Sequence, residues 1–340
     1  LPLPAEKQTV GGFLLQWLED TARLRVKPRT FVGYEHHVKK HIDPELGKLK
    51  LHDLSPQQVQ RFLNEKAKNL APRTVARIRA TLRTALSQAE KWNLVARNVA
   101  KLVDLPKPKR GKIRFLDPSE AQALLSATEG FRLGPVFSVA MAVGLRLGEA
   151  LGLRWEDVDL ERKVLRVEQT LQRLPKAQGE EHGRVAFGPP KSETSRRSVS
   201  LPDFAVLTLQ RHRTRQKEER LKAGGDWQNL NLVFTSTIGT PVDERNLRRE
   251  FKEILKAAKL PHMRIHDLRH TCASLLLAQG VQAKVVQEIL GHSQITLTLD
   301  TYSHLIPGLQ QDAAQKMNAI LAPSTTQEDP VAVSVAVNQA

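Results

Sequence analysis

Apolar positions recur at helical spacing through the first hundred residues. In "VGGFLLQWLEDTARL", residues 10–24, they fall at 13, 14, 17, 18 and 24, which predicts an amphipathic helix. "TFVGYEHHVKKHI" continues the pattern with Phe31, Tyr34, Val38 and Ile42, leaving His36, His37 and His41 as surface groups. "LSPQQVQRFLNEKAK" opens with a cap at Ser55, Pro56 at the first helical position and Gln58 to close a capping box. In "APRTVARIRATLRTALSQAEKW" one stripe holds Val75, Ile78, Leu82, Leu86 and Ala89, while Arg73, Arg77, Arg79 and Arg83 lie off it. Trp92 reads as a packing residue.

The pattern then changes. "DLPKPKRGKI", residues 104–113, is proline-rich and basic and reads as an extended linker. "LDPSEAQALL" restarts a helix with Asp117 as cap, Pro118 first and Glu120 closing the box. "FRLGPVFSVAMAVGLRLGEALGL" is apolar and helical. "KVLRVEQTLQ", with β-branched residues near 164–170, is strand-like, and "GRVAFGPPKSETSRRSVSL" predicts two short strands around a loop holding Lys191. "LVFTS" predicts a further brief strand. Helices follow over "TPVDERNLRREFKEILKAAKL", over "IHDLRHTCASLLLAQG" ending at Gly280, and over "VQAKVVQEILG" ending at Gly291. "TLTLDTYSHL" and "LQQDAAQKMNAIL" are further helical segments, and the last residues read as a flexible tail. The expected class is mainly α with a small β-sheet: a helical domain over 1–103, the linker 104–113, an α+β domain over 114–322 and the tail 323–340.

Charge sharpens this picture. The 340 residues carry 52 Lys+Arg against 36 Asp+Glu. Residues 1–112 hold 23 of the basic and 10 of the acidic residues, a net of +13 in one third of the chain. Such an excess points to a polyanion, nucleic acid before an anionic membrane. Arg73, Arg77, Arg79 and Arg83, with Lys107, Lys109 and Arg110 of the linker, are the candidate DNA contacts. No run approaches the ~18 apolar residues a membrane span needs, and no signal-peptide pattern opens the chain. The single Cys272 excludes an intramolecular disulfide and a cysteine-based zinc site, and reads as a small core residue. A cytoplasmic protein is expected. Whether an arm-binding domain precedes Leu1 stays open.

The candidate chemistry consists of polar residues set among apolar ones. Arg146 lies in "AVGLRLGEALGLRW" and Lys191 in a Gly-Pro-Pro-Lys-Ser loop. His266 and Arg269 share a helix face at i, i+3, as do His266 and His270 at i, i+4. The latter spacing would suit zinc, but no glutamate follows His266 and no third ligand is evident. His292 follows a helix-ending glycine, and Tyr302, one of two tyrosines in the chain, comes ten residues later. Two buried arginines without partners would cost several kcal/mol, and a phosphate matches the guanidinium fork.

"GLRLGEALGLRWEDVD", "HDLRHTCASLLLAQG", "LGHSQITLTLDTYSHL" and the lysine loop, in this order, resemble the tyrosine recombinases, the phage-integrase family of site-specific DNA recombinases. The resemblance covers roughly residues 10–320. It implies a helical core-binding domain and an α+β catalytic domain closing as a C-shaped clamp on duplex DNA. By position, Arg146 and Arg269 match the family's phosphate-binding arginines, and Lys191 its strand-loop lysine, preferred over Lys176 for its place between strand-like segments. His266 and His292 match its two histidines, and Tyr302 its nucleophile. Glu149 and His270 are supporting residues. The implied partners are double-stranded DNA attachment sites, with a homotetramer exchanging strands through a Holliday junction and no membrane. Room is left for an accessory directionality factor, and phage or transposon origin stays open. No cofactor, metal or ATP is implied, because the phosphotyrosyl bond stores the energy of the broken diester. A phenol of pKa near 10 is only about 0.1% ionised at pH 7, so its phenolate costs roughly 4 kcal/mol, which a neighbouring base such as His266 would offset. The rivals are a DNA-relaxing enzyme like the type IB topoisomerases and a DNA-binding regulator with a decayed site.

Overall fold

The computed structural model describes residues 8–105, 114–173, 185–190 and 193–302, and the helical positions 314, 315, 317, 318, 320 and 321. The chain divides into two compact units, residues 1–113 with 170–188, and residues 114–169 with 189–340.

In the first unit, α1 (Val10–Trp17) starts where Thr9 accepts a hydrogen bond from the Gly12 amide. It runs through a π-helical turn, Leu18–Ala22, into α2 (Arg23–Arg25). Phe13, Leu14, Trp17 and Leu18 are buried as the pattern predicts, but Leu24 is 81% exposed. The i→i+5 turn explains the departure: it slips the helix face by a residue, so Thr21 and Ala22 take the inward positions. A second π turn, Val38–Ile42, links α3 (Pro28–His37) to α4 (Asp43–Leu46). It also turns His41 inward, and His37 Nδ1 sits 2.8 Å from Thr81 Oγ1, so of the three histidines read as surface groups His36 alone is exposed. Burial lowers the pKa of both His37 and His41.

The capping box of α5 (Pro56–Asn69) forms with Ser55 and Gln58 as expected. In α6 (Pro72–Lys91) the stripe from Val75 to Ala89 is buried, joining the α1 residues in one core. Arg73, Arg77 and Arg83 are exposed. Arg79 instead donates to the carbonyls of Ala100 (3.0 Å) and Lys101 (3.4 Å). Lys107, Lys109 and Arg110 lie outside the described residues.

In the second unit the predicted box of Asp117 and Glu120 opens α7 (Pro118–Thr128). Buried on nearly every face, α8 (Gly134–Val143) ends at Gly144 with φ +64°, and α9 (Leu147–Leu151) follows at once. Two small antiparallel sheets occur among the described residues. One has the order β1 (Val158–Asp159), β2 (Val164–Val167), β5 (Arg197–Ser200); in the other β3 (Thr170–Arg173) pairs with β4 (Val185–Gly188) and groups with the first unit. Register pairs Val164 with Ser200 and Val167 with Arg197.

A long helix, α10 (Asp203–Ala223), occupies a stretch for which the apolar pattern predicted no element. Its inward face begins with Ala205, Val206 and Leu209 but continues with His212 and Gln216. Gln216 donates to the carbonyls of Leu232 and Val233 and to Thr235 Oγ1, and accepts from Trp155 Nε1 at 2.6 Å. That explains the "LVFTS" segment. Its buried residues form isolated bridges, Leu232 with Arg154 and Thr235 with Pro241, rather than a strand, because side chains of α10 take the carbonyls a neighbouring strand would use. The helices α11 (Glu244–Ala257), α12 (Asp267–Ala278), α13 (Ala283–Leu290) and α14 (Ile295–Tyr302) complete the unit near their predicted places. Phe137 of α8 stacks on Phe251 of α11, 4.8 Å between centroids. The architecture is mainly α with small antiparallel sheets, as the pattern implied. No helix among the described residues is long and apolar enough to cross a membrane.

Candidate active site

The second unit gathers three of its arginines around the C-terminal end of one helix. Gly291 adopts φ +63° and closes α13 with a Schellman pattern, in which the Gly291 amide donates to Glu288 and the His292 amide to Gln287. These bonds occupy the carbonyls of Gln287 and Glu288 and leave those of Ile289, Leu290 and Gly291 without helical partners. A guanidinium takes each. Arg197 Nε donates to Ile289 O (2.6 Å), Arg269 Nη2 to Leu290 O (2.6 Å) and Arg146 Nη2 to Gly291 O (3.0 Å). Cations are favoured there, since the helix dipole places partial negative charge at that end.

Each arginine comes from a different element. Arg146 stands at the start of α9, Arg197 opens β5 and Arg269 lies in the first turn of α12. Arg269 is buried, and its Nη1 also donates to Gly144 O at 2.6 Å. Gly144 suits this turn because its φ is positive and an added Cβ would meet Leu290 Cδ2 at 2.4 Å. Arg146 keeps 33% of its side chain exposed. Its Nη1 donates to Glu149 Oε1 at 2.6 Å, and its backbone amide to Glu149 Oε2 at 3.0 Å. The sequence suggested arginines lacking partners until a phosphate arrives. Both are already bonded within the protein, which removes most of the cost of burying them. What Arg146 retains is an accessible edge.

Three histidines border this cluster. The rings of His266 and His270 meet edge to face, 5.2 Å between centroids. His266 is exposed by surface, yet the protein crowding its ring lowers its pKa, with the Arg269 charge adding to the effect. His270 is pushed down to about 4, first by burial and then by His266. His292 is also pushed down to about 4, by burial and by Arg269 and Arg146, and its Nδ1 lies 2.9 Å from the buried Thr298 Oγ1. All three rings are therefore neutral at pH 7, able to accept a proton or to donate one N–H. Cys272 is a core residue as expected, its thiol raised to about 12 by burial.

Thus Arg146, Glu149, Arg269 and His292 are bonded around one helix end, with His266 and His270 on the α12 side. Lys191, and Lys176 with it, lies outside the described residues. Tyr302 is the last residue of α14, which packs on α12 and α13, and its side chain too lies outside them. One member of the cluster was missed from sequence, Arg197. A signal existed in its strand: in "RRSVSL" alternation sends one of two adjacent arginines inward.

Residues 114–307 match the phage integrase family and residues 9–67 the phage integrase N-terminal SAM-like domain. The chain belongs to the phage integrase family and is an enzyme of site-specific DNA recombination. Among its relatives is a "Tyrosine recombinase XerC-like" protein of Caldanaerobacter subterraneus subsp. tengcongensis, 34% identical over 324 residues, 91% of this chain and 83% of the relative. An integrase of Saccharopolyspora erythraea is 30% identical over 360 residues, 91% of this chain and 82% of the relative. In fold, the chain is similar to the Tn1549 transposon integrase in complex with a circular intermediate DNA (TM-score 0.75, 21% identity, 92% of this chain and 100% of that one). It is also similar to a lambda integrase in a tetramer bound to a Holliday junction (TM-score 0.62, 20% identity, 88% and 79%).

Proposed function

We propose that Tyr302 is the nucleophile and that the cluster at the end of α13 holds the phosphate it attacks. The phenol oxygen bonds to phosphorus, the P–O5′ bond breaks, and a 3′-phosphotyrosyl link remains. His266, neutral at pH 7, takes the phenol proton. Lys191 returns a proton to the leaving 5′ oxygen. Arg146, Arg269 and the N–H of His292 face the charge that grows on the phosphoryl oxygens, each such donor being typically worth about 2.7–4 kcal/mol. The same steps in reverse, with a 5′ oxygen of another strand, rejoin the DNA, so no ATP is consumed. Glu149 and His270 support the arginines and the α12 rings.

The observation that carries this reading is the convergence of Arg146, Arg269 and His292, from three separate segments, on the helix end that precedes Tyr302 by one short helix. Residues Arg73, Arg77 and Arg83 of α6 supply phosphate contacts in the first unit, over a domain we place at 1–103. The working assembly is a homotetramer on two attachment sites in the bacterial cytoplasm. The test uses a nicked attachment-site duplex that traps the covalent intermediate. Wild-type protein yields an adduct in a denaturing gel, and Tyr302→Phe yields none while still binding the DNA. An adduct from the variant refutes the assignment of Tyr302. Products that join two different duplexes separate recombination from simple relaxation.

A further inference from the structure

We infer that Arg197 is a positioning residue of this reaction, locking Arg146 and the His292 segment to one another by joining Glu149 to the end of α13. The inference rests on the reading of Arg146 and His292 as groups that face the phosphate.

Arg197 has a neighbour of the same type and the opposite fate. The Arg196 side chain, just before β5, is 49% exposed, whereas that of Arg197, the first residue of β5, is 6% exposed. From there Arg197 reaches three segments at once. Its Nε donates to Ile289 O at 2.6 Å, its Nη1 to Ser195 O at 3.0 Å and its Nη2 to Glu149 Oε2 at 3.0 Å. It also packs directly against the glycine that ends α13, where an added Cβ would meet Arg197 Cδ at 3.1 Å and Thr194 O at 3.0 Å. Only a planar fork can serve three acceptors in fixed directions; a lysine ammonium on a flexible stem would not hold the same geometry.

The joint matters through Glu149. That carboxylate is 1% exposed and accepts from Arg146 and Arg197 together. Burial pushes its pKa up, but Arg197 and then Arg146 outweigh burial and hold it below the usual value. The charged groups facing Glu149 are Arg146, at the start of its own helix, and Arg197 from β5; Arg269 of α12 and His292 sit at the same helix end. Without Arg197 the buried carboxylate keeps one cation, takes up a proton more readily and loosens its hold on Arg146. Arg197 has too little exposed surface to meet DNA, which separates it from Arg146.

The test compares wild type with Arg197→Lys, Arg197→Gln and the double variant Glu149→Gln/Arg197→Gln. It reads first-order cleavage of the nicked duplex across pH, DNA affinity, and amide exchange at residues 289–292. The single variants should cleave about 100-fold more slowly, the effect expected when a reacting group moves by about 1 Å, with DNA affinity unchanged and exchange at 289–292 faster. The acid limb of the Arg197→Gln profile should move to higher pH, and the double variant should lose that displacement. Wild-type cleavage by Arg197→Lys, with unchanged exchange, would overturn the inference. If wild-type protein forms no adduct, the catalytic reading fails instead, and the exchange comparison still decides whether Arg197 holds the joint.

Discussion

Arg269 Nη1 donates to the carbonyl oxygen of Gly144 across 125 residues of sequence, at 2.6 Å. This bond ties the end of α8 to the start of α12. It explains why a left-handed glycine lies two residues before Arg146, since the turn at φ +64° aims its carbonyl at the guanidinium. Gly144→Ala meets both a strained backbone and the Leu290 side chain. A loss of about 2–4 kcal/mol is expected from strain and overpacking together. Urea unfolding checks it; a loss under 1 kcal/mol would show that the turn relaxes freely.

Acid should weaken the second unit through its histidines. His270 and His292 are each pushed down to about 4 in the folded protein, against about 6.5 unfolded. The folded state therefore binds fewer protons, and the stability this provides is complete above pH 6.5 and lost as pH falls toward 4. The loss is at most about 1.4 kcal/mol per pH unit for each ring, less where water screens it. Unfolding free energies at pH 7, 6 and 5 should fall in that order. His292→Gln should flatten the slope, and an unchanged slope would count against its low folded pKa.

The arginines of α6 should divide by role. Arg73→Gln and Arg77→Gln remove exposed charges, so DNA affinity should fall alike on all sequences. The plot of log affinity against log salt should flatten by about 1 for each. Arg79→Gln removes donors from the carbonyls of Ala100 and Lys101 and should lower the melting temperature of the first unit. A full salt-slope change from Arg79→Gln alone would reverse this division.

Gln216 holds the 232–235 segment to α10. Gln216→Leu strands the carbonyl of Leu232 and the indole N–H of Trp155, while Val233 O loses one of two partners and keeps His212 Nε2 at 2.7 Å. A buried unsatisfied group costs about 1–3 kcal/mol, so a total loss of about 2–4 kcal/mol is expected. Trp155 fluorescence should shift with it. A variant as stable as wild type would mean that water replaces the amide.

The legible part of this protein was the local part. Ser55 with Gln58 and Asp117 with Glu120 were readable as caps because both partners lie within one helical turn. The stripe from Val75 to Ala89 was readable because apolar burial leaves a period in the sequence. Four ordered motifs supplied Arg146, Lys191, His266, Arg269, His292 and Tyr302 as candidates and the family with them. Two kinds of information were missing. A π turn slips a helix face without changing composition, so Leu24 read as core and His41 as surface. The inward face of α10 turns polar at His212 and Gln216, so its hydrophobic period fades although the helix is long. Tertiary structure alone decided that the three carbonyls ending α13 belong to Arg146, Arg197 and Arg269. A guanidinium and its acceptor leave no periodic trace when 21, 92 or 145 residues separate them; their pairing exists only once packing has brought a helix end and three donors from separate elements together.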